Sequence, residues 1–111
     1  MDSITVSKKV NEVIRNFQHG DKVKRVGLFG SVARGDSTDK SDIDLVVDFT
    51  YDDFLESDPL FAIRKKYMFE SVLRDAFVPV AVDIVDYSAL SEESNRLLDD
   101  EIREDVIWIY G

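Results

Sequence analysis

The residues between positions 30 and 44 have the types and the spacing needed for chemistry on a metal-bound nucleotide triphosphate. Gly30 and Ser31 form a small polar turn, and ten residues separate them from Asp42 and Asp44. Backbone N–H groups at a turn before a helix favour phosphate, and a glycine lets phosphate approach the backbone closely. Two carboxylates on one face of a strand suit Mg²⁺, which prefers carboxylate, phosphate and water oxygens.

A third acid and a cation extend this set. Asp83 interrupts the apolar run 80–85, and its neighbours in the run point to the opposite face. Because a charge inside a strand needs a partner or a metal ion, we predict that Asp83 joins the two aspartates. There it can accept the proton of an attacking hydroxyl, with Asp86 at the strand end as the alternative. Ser31 can donate to a phosphate oxygen, and Arg34, one turn later, can pair with the same group.

Each feature alone has an ordinary structural explanation, and only their joint spacing favours a functional site. Gly-Ser pairs are common in turns, Asp-x-Asp pairs at solvated strand edges, and single arginines on surfaces. No Gly-Lys-Ser/Thr sequence of a P-loop is present. The absence of cysteine excludes thiolate metal sites, and a Ser-His-Asp arrangement is not credible with His19 as the one histidine.

Hydrophobic periodicity predicts the elements that position these residues. Apolar residues spaced by three and four predict helices, and short β-branched runs predict strands. Their order predicts one α/β (α+β) domain over residues 1–111, a small mixed β-sheet with helices packed on one face and the acids on the other. The predicted elements are helices over 4–18, 59–76 and from Ser91, strands over 23–29, 43–49 and 80–85, and an extended tail over 106–110.

Charge and composition narrow the function classes. The 14 Lys and Arg against 23 Asp and Glu give a net charge of −9, which argues against a general nucleic-acid-binding surface. It does not argue against one bound nucleotide, because metal ions bring positive charge of their own. No long apolar run suggests a signal peptide or a membrane span, so a cytoplasmic protein is expected.

The string from Gly30-Ser31 through Ala33-Arg34-Gly35-Asp36 to Ser41-Asp42-Ile43-Asp44-Leu45 resembles the signature of the DNA polymerase β-like nucleotidyltransferases. Within them it is similar to the minimal nucleotidyltransferase branch, and the run 82–85 is similar to the branch's third-acid strand. The resemblance implies transfer of a nucleoside monophosphate, from ATP with Mg²⁺, to a hydroxyl group. It also implies roles for single residues. Asp42 and Asp44 would hold the metal ions. Asp83 would hold the catalytic metal ion and assist deprotonation of the attacking hydroxyl. Gly30 and Ser31 would bind the β- and γ-phosphates.

The minimal branch resembles antitoxins encoded beside HEPN-type ribonuclease toxins, which implies a toxin tyrosine as the acceptor of AMP. Larger relatives carry a further domain for the acceptor, so we expect a partner chain to supply it, in a hetero-oligomer or a homodimer. The acidic charge suits a basic toxin better than RNA. Tyr51, Phe54, Leu55 and the tail 108–110 can form an apolar partner surface or simply pack in the core. The alternatives are a transferase that modifies a small molecule or another protein, and an antitoxin that binds without catalysis.

Overall fold

The structure, a computed structural model, describes residues 2–17, 23–38, 41–49, 59–87 and 105–111. Within these ranges the helices and strands lie where the periodicity predicts them, with ends that differ by one or two residues. The predicted helix from Ser91 and the loop with Tyr51, Phe54 and Leu55 lie outside the described residues. In chain order the elements are α1 (Ser3–Asn16), β1 (Val23–Phe29), α2 (Gly30–Arg34), β2 (Ile43–Phe49), α3 (Pro59–Phe77), β3 (Val82–Asp86) and β4 (Ile107–Tyr110).

The four described strands form one mixed sheet in the order β3-β2-β1-β4. β1 is antiparallel to both β2 and β4, whereas β2 and β3 run parallel. A parallel pair needs a long crossover connection, and α3 lies within the one between β2 and β3. The predicted α/β architecture with a mixed sheet is confirmed.

Alternation along β2 separates a helix-covered face from a second face. Ile43, Leu45 and Val47 are buried in the same cluster as the apolar stripes of α1 and α3. Residues 44, 46 and 48 point the other way, because successive side chains of a strand alternate. The helix residues that fill the core are Val6, Val10 and Ile14 of α1, Val32 of α2, and Phe69, Leu73 and Phe77 of α3. None of the described helices is long and apolar enough to cross a membrane.

On the second face, the guanidinium of Arg25 in β1 contacts two aromatic rings, one from β4 and one from the residue after β3. The guanidinium lies 4.0 Å from the ring centroid of Trp108 and 4.6 Å from that of Tyr87, while its Nε donates to Asp48 at 3.1 Å. Cation–π contacts of this kind contribute about 0.5–1 kcal/mol at partly exposed sites. Trp108 nevertheless stays 37% exposed, so these contacts cover it only in part.

Glu70 of α3 is a buried carboxyl group beside the edge strand β3. Its exposed fraction is 9%, and it lines a small cavity with Lys66 and Asp86, whose side chains form an ion pair of 3.0 Å. Burial raises the pKa of Glu70, although the charges of Lys66 and Arg74 partly oppose this rise. The folded chain therefore holds this proton to a higher pH than the unfolded chain does.

Glu70→Gln should change how stability depends on pH. In the wild type, the free energy of unfolding should fall as the pH rises above about 4.5, the ordinary pKa of the group, because the unfolded chain releases the proton first. The variant should lose this fall and gain less than about 1 kcal/mol at neutral pH, since solvent and the nearby cations screen the carboxylate. Urea unfolding at several pH values measures the pH dependence and the change in the free energy of unfolding at neutral pH. Glu12→Gln, the same change at an exposed position of α1, is the control, and an equal change in pH dependence there would contradict the assignment.

Candidate active site

Asp44 and Asp83 lie side by side on two neighbouring strands. The parallel register of β2 and β3 pairs Asp44 with Asp83 directly, so their backbones lie about 5 Å apart. Both side chains point away from the helices, because Ile43, Leu45 and Val82 take the core positions. Asp44 is half-buried and Asp83 is exposed. The structure thus brings together two of the three predicted acids.

The exposure of Asp83 differs from the sequence argument, in which a charge inside a strand needs a partner or a metal ion. β3 is an edge strand of the described sheet, and water reaches the carboxylate at its open face. Its position opposite Asp44, rather than its burial, is what now favours a role in the site.

Asp42 lies immediately before β2 and not within it. β2 begins at Ile43, whose N–H donates to the carbonyl oxygen of Ala81 at 2.9 Å, so the pairing with the β3 segment starts one residue after Asp42. The Asp42 side chain is exposed. Among the described residues, no three His, Cys, Asp or Glu side chains converge as a preformed metal site.

Gly30 lies directly against the Asp44 carboxylate. It begins α2 with a φ of +75°, a backbone conformation that favours glycine. A Cβ atom at this position would overlap Oδ2 of Asp44 and lie 3.1 Å from its Cγ. The sequence needs a glycine here because the chain turns from β1 into α2 while in contact with an acid of the next strand. Ser31, the next residue, is half-buried at the start of α2.

Arg34, predicted to contact phosphate, is held by two carboxylates. Its Nη1 donates to Asp105 at 2.8 Å and its Nε donates to Asp36 at 3.3 Å. Both hydrogen bonds raise the pKa of Arg34, and the one with Asp105 has the larger effect. Sequence reasoning missed Asp105, because the two residues lie 71 positions apart and no local pattern connects them. The phosphate contact of Arg34 stays a prediction.

Asp86, the alternative third acid, belongs to the other face of the sheet. It shares a face of β3 with Val82 and Ile84, which pack against the helix-covered core. Its carboxylate pairs with Lys66 of α3 at 3.0 Å. Among the acids of β3, the geometry therefore favours Asp83 as the neighbour of Asp44.

The donor set fits a magnesium ion. Mg²⁺ in phosphate-transfer sites is usually held by one or two carboxylates, with phosphate oxygens and water completing the shell. Asp44 and Asp83 can supply two carboxylates from paired positions, and Asp42 lies next to the same end of β2. Because Gly30 has no side chain, no Cβ atom occupies the space next to Oδ2 of Asp44.

Comparison with known families decides the class of the protein. A family model described as "Polymerase beta, Nucleotidyltransferase" matches residues 11–111. The chain belongs to this family. The match confirms the family resemblance read from residues 30–45 and the prediction that the chain is an enzyme of the nucleotidyltransferase class.

Two relatives of the nucleotidyltransferase come from Methanocaldococcus jannaschii, and both are named as inferred protein adenylyltransferases. One is 36% identical over 90 residues, which cover 79% of this chain and 78% of the relative. The other is 33% identical over 103 residues, which cover 88% and 95% of the two chains. The matches therefore extend over most of both relatives.

Solved structures agree with the family and the fold. A structure described as an inferred minimal nucleotidyltransferase is 32% identical, with a TM-score of 0.56 and 96% and 95% of the two chains covered. A toxin–antitoxin structure with AMP-PNP has a TM-score of 0.61 at 24% identity, over 95% of this chain and 73% of the other. At that identity the second likeness shows the fold alone.

Proposed function

We propose that this nucleotidyltransferase uses Mg²⁺ and ATP to transfer AMP to a tyrosine hydroxyl of a HEPN-type ribonuclease toxin and so acts as its antitoxin. We further propose that residues 1–111 form a single minimal nucleotidyltransferase domain that works in the cytoplasm. The names of the relatives support a protein acceptor, and the fold shared with a toxin–antitoxin structure supports a toxin partner. The observation that carries the proposal is the pairing of Asp44 with Asp83 beside Gly30.

The site residues divide into metal ligands and phosphate ligands. We assign Asp42, Asp44 and Asp83 to the metal ions, which when bound would neutralise charge on the triphosphate. Gly30 and Ser31 would hold the β- and γ-phosphates through backbone N–H groups and the serine hydroxyl. The net charge of −9 supports a basic protein partner rather than RNA.

The transfer step forms one bond and breaks another at the α-phosphorus of ATP. The hydroxyl oxygen of the acceptor attacks this phosphorus, and the bond to the departing pyrophosphate breaks. The proton of the hydroxyl passes to the Asp83 carboxylate and from there to water, which the exposure of Asp83 permits. The products are the adenylylated acceptor and pyrophosphate.

Radiolabelled ATP tests this reaction type. When this protein is incubated with the product of its neighbouring gene, that product should incorporate label from ATP labelled at the α-phosphate. It should incorporate no label from ATP labelled at the γ-phosphate. Removal of Mg²⁺ with a chelator should stop incorporation. Label from the γ-phosphate would contradict AMP transfer, and label in small hydroxylated acceptors but not in the protein would favour a small-molecule substrate.

A further inference from the structure

The helix α2 is too short to hold its own position. Its five residues run from Gly30 to Arg34, and isolated helices of this length do not form in water. Gly35 closes it with a φ of +81°, while the Asp36 and Gly35 N–H groups donate to the carbonyl oxygens of Ser31 and Val32. These bonds shape the helix but do not connect it to the sheet. Its position against Asp44 must come from other contacts.

Besides the chain connection to β1, α2 is held by core packing, in which the partly buried Ala33 also takes part, and by an ion pair at its end. The buried side chain of Val32 packs into the core, which fixes one side of the helix. The Arg34 guanidinium reaches across to Asp105, which lies two residues before β4. Val106 packs against the cluster of Phe29 and Val46, and Ile107 pairs with Leu28 of β1. Asp105 is therefore carried by backbone that the sheet holds in place.

Asp105 is the better sheltered of the two partners of Arg34. The side chain of Asp105 is 19% exposed, whereas that of Asp36 is 62% exposed. The bond to Asp105 is also shorter, at 2.8 Å against 3.3 Å. Arg34 is 44% exposed, which weakens both ion pairs, but the shorter bond to the better sheltered Asp105 should be the stronger of the two.

We infer that Asp105 is a positioning residue that, through Arg34, holds the Gly30–Ser31 turn against Asp44. This inference rests on the proposed function, in which that turn binds the triphosphate of ATP. It gives Arg34 a role different from the predicted phosphate contact. The two roles predict opposite effects when the Asp105 charge is removed.

The test is Asp105→Asn in the full chain, with Asp36→Asn as the matched control on the same arginine. If Asp105 positions the turn, Asp105→Asn should raise the KM for Mg-ATP about fivefold, the upper range for loss of one partly exposed ion pair. Asp36→Asn should change KM by less than about threefold. If Asp105 instead holds Arg34 away from phosphate, Asp105→Asn should lower KM, and that result would overturn the inference.

A second measurement does not depend on activity. Backbone hydrogen exchange at residues 31–35 should become faster in Asp105→Asn than in the wild type or Asp36→Asn, with the rest of the sheet unchanged. Unchanged exchange, or equal effects of both variants, would overturn the inference. A wild type that transfers no AMP but shows the expected exchange pattern would count against the proposed function alone.

Discussion

Asp83→Asn should abolish AMP transfer while leaving the fold intact. Asparagine keeps the shape of the side chain but removes the negative charge that a metal ligand and proton acceptor needs. Loss of a residue that only supports a ligand costs about 10–100-fold, so loss of the ligand itself should reduce the rate by at least about 100-fold. Initial rates of α-label transfer at saturating Mg-ATP measure this directly.

The stability of the Asp83→Asn variant should not fall with its activity. The Asp83 side chain is exposed and lies opposite Asp44 on the neighbouring strand, so two like charges face each other in the absence of a cation. Removing one of them should leave the free energy of unfolding unchanged or raise it by less than about 1 kcal/mol. A loss of activity that came from unfolding would show a lower stability instead.

Two matched variants complete the experiment. Asp86→Asn changes the other acid of β3, which lies on the opposite face and pairs with Lys66. Asp75→Asn makes the same substitution at an exposed acid of α3. Both should transfer AMP at rates close to the wild type. If Asp86→Asn were inactive and Asp83→Asn active, the third acid would have been assigned to the wrong residue.

Gly30→Ala should also remove most of the activity, for a steric reason. A left-handed backbone costs a residue with a Cβ atom about 1–2 kcal/mol, so the variant should be less stable by about this amount. The new methyl group would in addition overlap the Asp44 carboxylate and displace it. A displacement of about 1 Å can cost about 100-fold in rate, which is the expected loss of transfer.

Gly35→Ala separates the two effects. Gly35 has a similar φ of +81°, but a Cβ atom there would have no neighbour within 4 Å. The substitution should therefore cost a similar stability while transfer stays within about threefold of the wild type. Equal losses of activity in both alanine variants would mean that backbone strain in α2, rather than contact with Asp44, disables the site.

Within the part of the chain that the structure describes, sequence patterns were sufficient to predict the helices and strands and the faces of the strands. The alternation of Ile43, Asp44 and Leu45 predicts which side chains meet the helices, because only one arrangement buries the apolar set. The same alternation places Asp83 and Asp86 on opposite faces of β3. Local signals of this kind depend on neighbouring residues alone, so they can be read from the sequence without knowledge of the rest of the fold.

Apart from the expected proximity of Asp83 to the other two aspartates, features that depend on pairing between distant segments were not predicted. The direct pairing of Asp44 with Asp83 comes from the register of two parallel strands, which no turn sequence encodes. The contact of Arg34 with Asp105 is formed only when β4 joins β1. The exposure of Asp83 follows from its place on an edge strand, which hydrophobic alternation does not reveal.

The most direct test of the central claim is the intact mass of the partner toxin after incubation with this protein, ATP and Mg²⁺. We expect the wild type to add the mass of AMP to the toxin, with a tyrosine as the modified residue and loss of the toxin's ribonuclease activity. The Asp83→Asn protein should leave both mass and activity unchanged. An unmodified toxin that the wild type and Asp83→Asn inhibit equally well would contradict the account, because inhibition would then come from binding alone.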